Sequence, residues 1–180
     1  MDNISIVIGS WGSYNECNER ALGSKWLDLS DYSDWEEIEE ELKKEGFELD
    51  GIDEELFIQD IEGLPTDSCN WDYTHPQKLF ELLNEADVLN NKYNNETMQA
   101  YLEIRSFDDF EELVENYGSN WCDDIHLYKN YSWYDLGYEY LHECHEIPDY
   151  LDNYIDYESY GSDFKYDGFE EYSEGIIEIR

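Results

Sequence analysis

The chain has 180 residues, of which 47 are Asp or Glu and only 10 are Lys or Arg, for a formal net charge of −37 at pH 7. A surface of this sign repels DNA, RNA and anionic lipid, which excludes nucleic acid and membrane as partners, and it attracts a basic groove or a polyvalent cation. The mean hydropathy of −0.80 would fit disorder, but Phe, Trp and Tyr make up 17% of the chain, and disordered segments are poor in aromatics.

The pattern is therefore that of a folded protein with an aromatic-rich interior and an acidic exterior, each inward-facing aromatic removing roughly 150–250 Å² from water. No run approaches the ~18 apolar residues of a membrane span. The start, Met1-Asp2-Asn3-Ile4, has no basic region leading into an apolar one, so no signal peptide is expected. Cys17, Cys69, Cys122 and Cys144 are far apart and form no CxxC pair; they are expected to be reduced thiols of a cytoplasmic protein.

In chain order, Ile4-Ser5-Ile6-Val7-Ile8 reads as a buried strand, with Gly9 and Gly12 as breakers, and Lys25–Leu29 as a second strand. Ser33-Asp34-Trp35-Glu36 has the form of a capping box opening a helix that runs to about Glu45 and stops at Gly46. Its apolar positions Trp35, Ile38 and Leu42 place Glu36, Glu37, Glu40 and Glu41 off the core stripe. Glu55–Gln59 reads as a third strand. Thr74-His75-Pro76-Gln77 is a second capping pattern, before a stripe of Leu79, Leu82, Leu83 and Ala86; a further helix is expected over about 96–104.

Ser106, with Asp109 three residues on, opens a helix whose Phe107, Phe110, Leu113 or Val114, and Tyr117 repeat at helical spacing. Asp108, Asp109, Glu111, Glu112 and Glu115 face elsewhere. Another helix follows Ser132, with Trp133, Leu136, Gly137, Tyr140 and Leu141 on one stripe, and Gly175–Ile179 reads as a strand. Strands and helices mix without a βαβ rhythm, which favours an α+β fold. The acid is unevenly spread: residues 1–62 hold 19 acids and 4 bases, 63–105 hold 7 and 3, and 106–180 hold 21 and 3, for −15, −4 and −18. These three segments are expected as domains: an N-terminal α+β domain, a helical middle domain and a C-terminal α+β domain.

Catalytic and metal-binding patterns are weak. His142-Glu143-Cys144-His145 has its histidines three apart, not at the i, i+4 spacing of a metalloprotease helix, and no distant CxxC completes a ligand set. It reads as an exposed helix end. Asp28-Leu29-Ser30-Asp31-Tyr32-Ser33 lacks the Gly of an EF-hand loop, so weak surface binding of Ca²⁺ or Mg²⁺ is expected but no dedicated metal site. With 47 acids, close carboxylate pairs are inevitable and say nothing of catalysis. There is no GxGxxG or P-loop, and Gly9-Ser10-Trp11-Gly12-Ser13 lacks the order of a nucleophile elbow. No enzymatic activity and no cofactor are expected. Solubility calls for a net charge of only about 2–8 in a small domain, so the excess needs another cause. At one charge per ~1.7 Å of duplex axis, the chain holds the charge of roughly 60 Å of DNA, about 18 base pairs, and two copies that of about 37.

Tyr14-Asn15-Glu16 with Leu22-Gly23-Ser24-Lys25-Trp26-Leu27-Asp28-Leu29, then Glu54–Asp60, carry a resemblance that is strongest near the C-terminus. There it rests on Pro148, Leu151, Tyr154-Ile155-Asp156-Tyr157, Tyr160-Gly161-Ser162-Asp163-Phe164 and Gly175–Ile179. On these residues the chain resembles the ArdA antirestriction proteins of plasmids, conjugative transposons and phages. The resemblance implies an elongated, curved homodimer of three small domains that imitates bent B-form DNA in a bacterial host. It implies that the protein fills the DNA groove of the methyltransferase core of type I restriction-modification enzymes, blocking cleavage and modification without chemistry.

The family's antirestriction motif falls between Phe110 and about Glu143. The carboxylates expected to present the mimicry are Asp31, Asp34, Glu36, Glu37, Glu40, Glu41, Asp108, Asp109, Glu111, Glu112, Glu115, Asp123, Asp124, Asp152, Asp156 and Glu158. Trp133, Tyr134, Leu136, Gly137 and Tyr140 are expected as the dimer contact, with Gly137 allowing close approach. Two other readings fit the charge. One is a DNA mimic aimed at a CRISPR effector, a BREX-like or other defence complex, or a nucleoid protein; the other is a cation-binding or solubility module.

Overall fold

The computed structural model describes residues 3–65, 69 and 71–180. The fold is α+β, with two small antiparallel sheets among helices. The chain divides into two compact units, Met1–Trp121 and Cys122–Arg180.

In the first unit, β1 (Ser5–Ser10) is the middle strand of a sheet ordered β2 (Leu27–Asp28), β1, β3 (Leu56–Glu62). A bulge between Val7 and Ile8 shifts the β1–β3 register, so Val7 faces Asp60 and Ile8 faces Ile58. Ile6 and Ile8 are fully buried, as the apolar run predicts. Where two glycines suggested only a break, the chain forms a short helix, α1 (Trp11–Glu16), capped by the Ser10 hydroxyl. Gly12 is required there: a Cβ would stand 1.9 Å from the Ile52 carbonyl oxygen.

Helix α2 (Trp35–Lys44) buries Trp35, Ile38 and Leu42, the predicted stripe. Its N-cap sits one residue later than expected, at Asp34, and the reciprocal bond of a capping box is replaced by one to the residue before the cap. Asp34 accepts from the Glu37 N–H at 3.0 Å, and the Glu37 carboxylate accepts from the Ser33 N–H at 2.7 Å. Helices α3 (Pro76–Glu85), α4 (Lys92–Leu102) and α5 (Phe107–Tyr117) follow. Helix α4 begins four residues before its predicted start, because its first turn buries polar side chains that hide the periodicity. Asn94 and Asn95 donate to the carbonyls of Ala86 and Val88, and Thr97 to that of Tyr93. Residues 107–121 pack with the chain before them: Phe107 lies 4.9 Å from Trp71 and Trp121 6.5 Å from Tyr101 of α4, ring to ring, and the Trp121 indole N–H donates to the Ala86 carbonyl at 2.9 Å.

The second unit has a sheet ordered β4 (Ile125–Lys129), β6 (Gly175–Ile179), β5 (Phe169–Tyr172), all antiparallel. Only β6 was legible in advance; β4 and β5 interleave His, Lys, Glu and Tyr with few aliphatics. Helix α6 (Trp133–Cys144), the short α7 (Asp149–Asp152) and α8 (Tyr157–Ser162) complete the unit. Its core gathers Trp133, Leu136, Phe169 and Ile176, with Tyr128, Tyr131, Tyr140 and Phe164 packed around them. Helices α6 and α8 cross at glycines. A Cβ on Gly137 would lie 2.1 Å from the Tyr157 carbonyl oxygen, and one on Gly161 1.8 Å from that of Trp133. Among the described residues no helix is long and apolar enough to cross a membrane.

Candidate functional site

The acidic surface begins at α2. Its buried stripe leaves Glu36, Glu37 and Glu40 exposed, with Asp34 at the cap and Asp31 just before it. Four exposed carboxylates from Asp34 to Glu40 span ~9 Å of helix axis at 1.5 Å per residue, about one per 2–3 Å. Glu41 differs from its neighbours. It is half-buried between Lys25 and Lys44, the second at 3.0 Å. Hydrogen bonds from both ammonium groups hold its carboxyl below the usual range.

Helix α5 repeats the arrangement. Phe107, Phe110 and Val114 face inward, leaving Asp108, Asp109, Glu112 and Glu115 exposed over ~10 Å of axis. Asp109 also closes the capping box with Ser106, whose hydroxyl and N–H donate to it and depress its pKa. Glu111 is half-buried and paired with Lys78. In the second unit Asp123, Asp124, Asp156 and Glu158 are exposed, and Asp156 caps α8 through the Ser159 N–H at 3.0 Å. Asp152 is half-buried and accepts from the Tyr157 hydroxyl.

Thirteen of the sixteen expected carboxylates are thus exposed; Glu41, Glu111 and Asp152 are the half-buried ones. The exposed carboxylates that cap helices keep their charge, since a cap supplies a dipole and not a counter-ion.

The five residues expected at a dimer contact lie in different places. Trp133, Leu136 and Gly137 are buried inside the second unit, and the close approach that Gly137 permits is made to α8 of the same chain. Tyr140 is half-buried, its hydroxyl 3.0 Å from that of Tyr128. That hydroxyl pair adjoins Glu178, which is buried at 2% exposure and accepts from Tyr128 at 3.2 Å. Burial, then the Tyr140 hydroxyl, push the Tyr128 phenol far above its ordinary value. Only Tyr134 faces outward, 48% exposed.

The sequence reading missed the face that Tyr134 belongs to. Tyr134 and Tyr138, both exposed, stack nearly parallel at 6.3 Å, and Tyr138 stacks on His142 at 4.0 Å. With Tyr131, Lys129, Asp135, Glu139 and Glu143 they line an open groove of about 810 Å³. The signal was available as an i, i+4, i+8 series on the side of α6 opposite its apolar stripe. Behind the ladder, Tyr157 presents its edge to Tyr138 at 5.1 Å; burial and the Asp152 carboxylate push its phenol up to about 12.

The buried polar cluster of the first unit is structural. Asp53 accepts from the Ser13 hydroxyl and from the Glu48 N–H at 2.8 Å, and Arg20 lies 2.9 Å away. Burial alone would raise its pKa, but these donors outweigh burial and hold it low. Among the described residues no three of His, Cys, Asp and Glu are placed to hold a metal ion.

Fold and surface together define a class: a highly acidic α+β protein whose outward chemistry is arrayed carboxylate and tyrosine. Within that class the chain belongs to the ArdA antirestriction protein family, whose model matches residues 6–178. No curated protein matches the chain. The family's function is antirestriction, so the protein is an inhibitor whose counterparts are restriction enzymes.

Proposed function

We propose that the protein inhibits type I restriction-modification enzymes as a DNA mimic, occupying the DNA groove of their methyltransferase core in the cytoplasm of a bacterial host. The observation that carries this reading is the pair of carboxylate runs on α2 and α5. Each presents a charge about every 3 Å, against ~3.4 Å per phosphate along one strand of duplex DNA. Basic side chains that meet phosphates would meet these carboxylates instead. Such binding is polyelectrolyte binding, so affinity falls steeply with salt. It is also distributed, because a single exposed ion pair is worth only ~0–1 kcal/mol.

The test is competition with target DNA on a purified type I methyltransferase. Neutralising Glu36, Glu37 and Glu40 together with Asp108, Glu112 and Glu115 should raise the inhibitory concentration at least tenfold, whereas Glu36→Gln alone should change it less than twofold. Inhibition that survives the sixfold change, or that one exposed substitution abolishes, rules out distributed mimicry. Inhibition without DNA displacement would overturn occupation of the DNA groove, and the absence of both binding and inhibition would point to another defence or DNA-binding complex as the target.

The same reading includes a homodimer, with the outer face of α6 as its contact. Exposed Tyr134 and Tyr138 supply area there. The groove also holds both signs of charge, Lys129 beside Asp135, Glu139 and Glu143. A two-fold contact sets a patch against its own copy, which a mixed-charge patch tolerates and a purely acidic one does not.

A further inference from the structure

The tyrosines of the second unit fall into two groups. Tyr128, Tyr131, Tyr140 and Tyr157 each place the hydroxyl on a partner within the unit. Tyr150 and Tyr154 have no hydroxyl or ring partner among the described residues, and they are 73% and 86% exposed. The backbone that carries them is nevertheless fixed. The Leu151 N–H donates to the Pro148 carbonyl at 2.8 Å, the Tyr154 N–H to the Leu151 carbonyl at 2.9 Å, and the Tyr157 hydroxyl to Asp152. Asn153 keeps helical dihedral angles, so the two tyrosines stand about one turn apart. Ring area held in water adds nothing to the fold. Held there on an ordered turn, it is ready for a partner at little further cost in entropy.

The surrounding charge selects the partner. Residues 146–164 hold six Asp or Glu and no Lys or Arg, and Asp149 and Asp156 are exposed on either side of the two tyrosines. Such a surface takes a cation. Of the two protein cations, arginine fits better: its planar, weakly hydrated guanidinium stacks on an aromatic face and still donates to carboxylates, whereas an ammonium is strongly hydrated. We infer that Tyr150 and Tyr154 form an arginine-docking surface, which receives guanidinium groups of the target's DNA groove on the ring faces while Asp149 and Asp156 take their charge. This rests on the DNA-mimic reading and adds to it a contact that phosphates do not make. Ring faces carry no net charge, so they contribute affinity without contributing to its salt dependence.

The test is competition of the full chain with target DNA on a purified type I methyltransferase, over a series of salt concentrations. Tyr150→Ser with Tyr154→Ser should weaken inhibition about tenfold, as expected of two stacked cations, and leave the slope of affinity against salt unchanged. Asp149→Asn with Asp156→Asn should lower that slope. Tyr150→Phe with Tyr154→Phe should stay within twofold of the wild type, because the ring faces remain. Circular dichroism melts show that each variant is folded. A serine variant that inhibits like the wild type overturns the arginine surface and leaves the mimicry standing. A phenylalanine variant as weak as the serine one does the same, since it assigns the contact to the hydroxyls. So does a serine variant that sedimentation equilibrium shows to have lost a wild-type dimer, since it assigns the surface to a second copy. A wild-type protein that displaces no DNA overturns both readings.

Discussion

The two compact units reach nearly the same charge per residue from different aromatic residues. Met1–Trp121 holds 31 acids and 7 bases, a net −24; Cys122–Arg180 holds 16 and 3, a net −13. The first unit contains five of the six Trp and five of the seven Phe, while the second has 11 of the 17 Tyr in its 59 residues. A unit that small has little interior. Tyrosine suits it, because the ring packs while the hydroxyl reaches a polar partner.

The consequence is electrostatic. In the first unit several carboxylates are held by lysines, as in Lys25–Glu41, Lys43–Glu39 and Lys78–Glu111, and each such pair cancels a charge. In the second, tyrosine hydroxyls hold Glu139 and Asp152, through Tyr131 and Tyr157, while Glu178 is shared between Tyr128 and Arg180. A tyrosine positions a carboxylate and leaves it negative. An acidic surface can therefore be ordered with or without losing charge, and this chain does both.

Three substitutions probe that contrast, the largest effect first. Phe110 is fully buried between Phe107 and Trp121, so Phe110→Ala should cost about 4 kcal/mol, measured by urea denaturation. Hydrogen exchange should accelerate within residues 71–121. Gly137→Ala and Gly161→Ala each put a methyl into a backbone carbonyl across the α6–α8 crossing. They should cost about 3 kcal/mol, at the upper end for overpacking, with faster exchange over 133–162. If either perturbation spread equally through both units, the distinction between them would be wrong.

The smallest effect should be common to both units. Ser106→Ala and Ser132→Ala each remove a capping-box hydroxyl and should cost about 1 kcal/mol. The partner carboxylates Asp109 and Asp135 have depressed pKa values in the fold, chiefly from those hydroxyls. Their contribution is complete above the ordinary Asp range of ~3.9 and is lost as pH falls through the lower folded values. The gap between wild type and each serine variant should therefore be constant from pH 8 to 5 and close below about pH 4. A gap that widened on acidification would contradict the cap assignment.

Much of this was legible in the residues. The stripes Trp35–Ile38–Leu42 and Phe107–Phe110–Val114 fix which acids of α2 and α5 face water, because helical period alone decides that. Strands β4 and β5 were not legible, since their residues are of mixed polarity and their pairing is made by β6 from elsewhere in the chain. Glu41 and Glu111 read as free surface charges; only the fold brings Lys25 and Lys78, 16 and 33 residues away in sequence, to pair with them.

What the sequence determined by itself was the charge, the α+β class, the acid-bearing helix faces and the family. These depend on composition, on local period and on motifs, all of which are properties of neighbouring residues. The tertiary structure alone decided which carboxylates stay unpaired, and that Gly137 serves a crossing within the chain. It also decided that Tyr134 and Tyr138 are left exposed on α6. Those are long-range facts: a helix has several faces, and its own sequence does not say which of them the rest of the chain will cover.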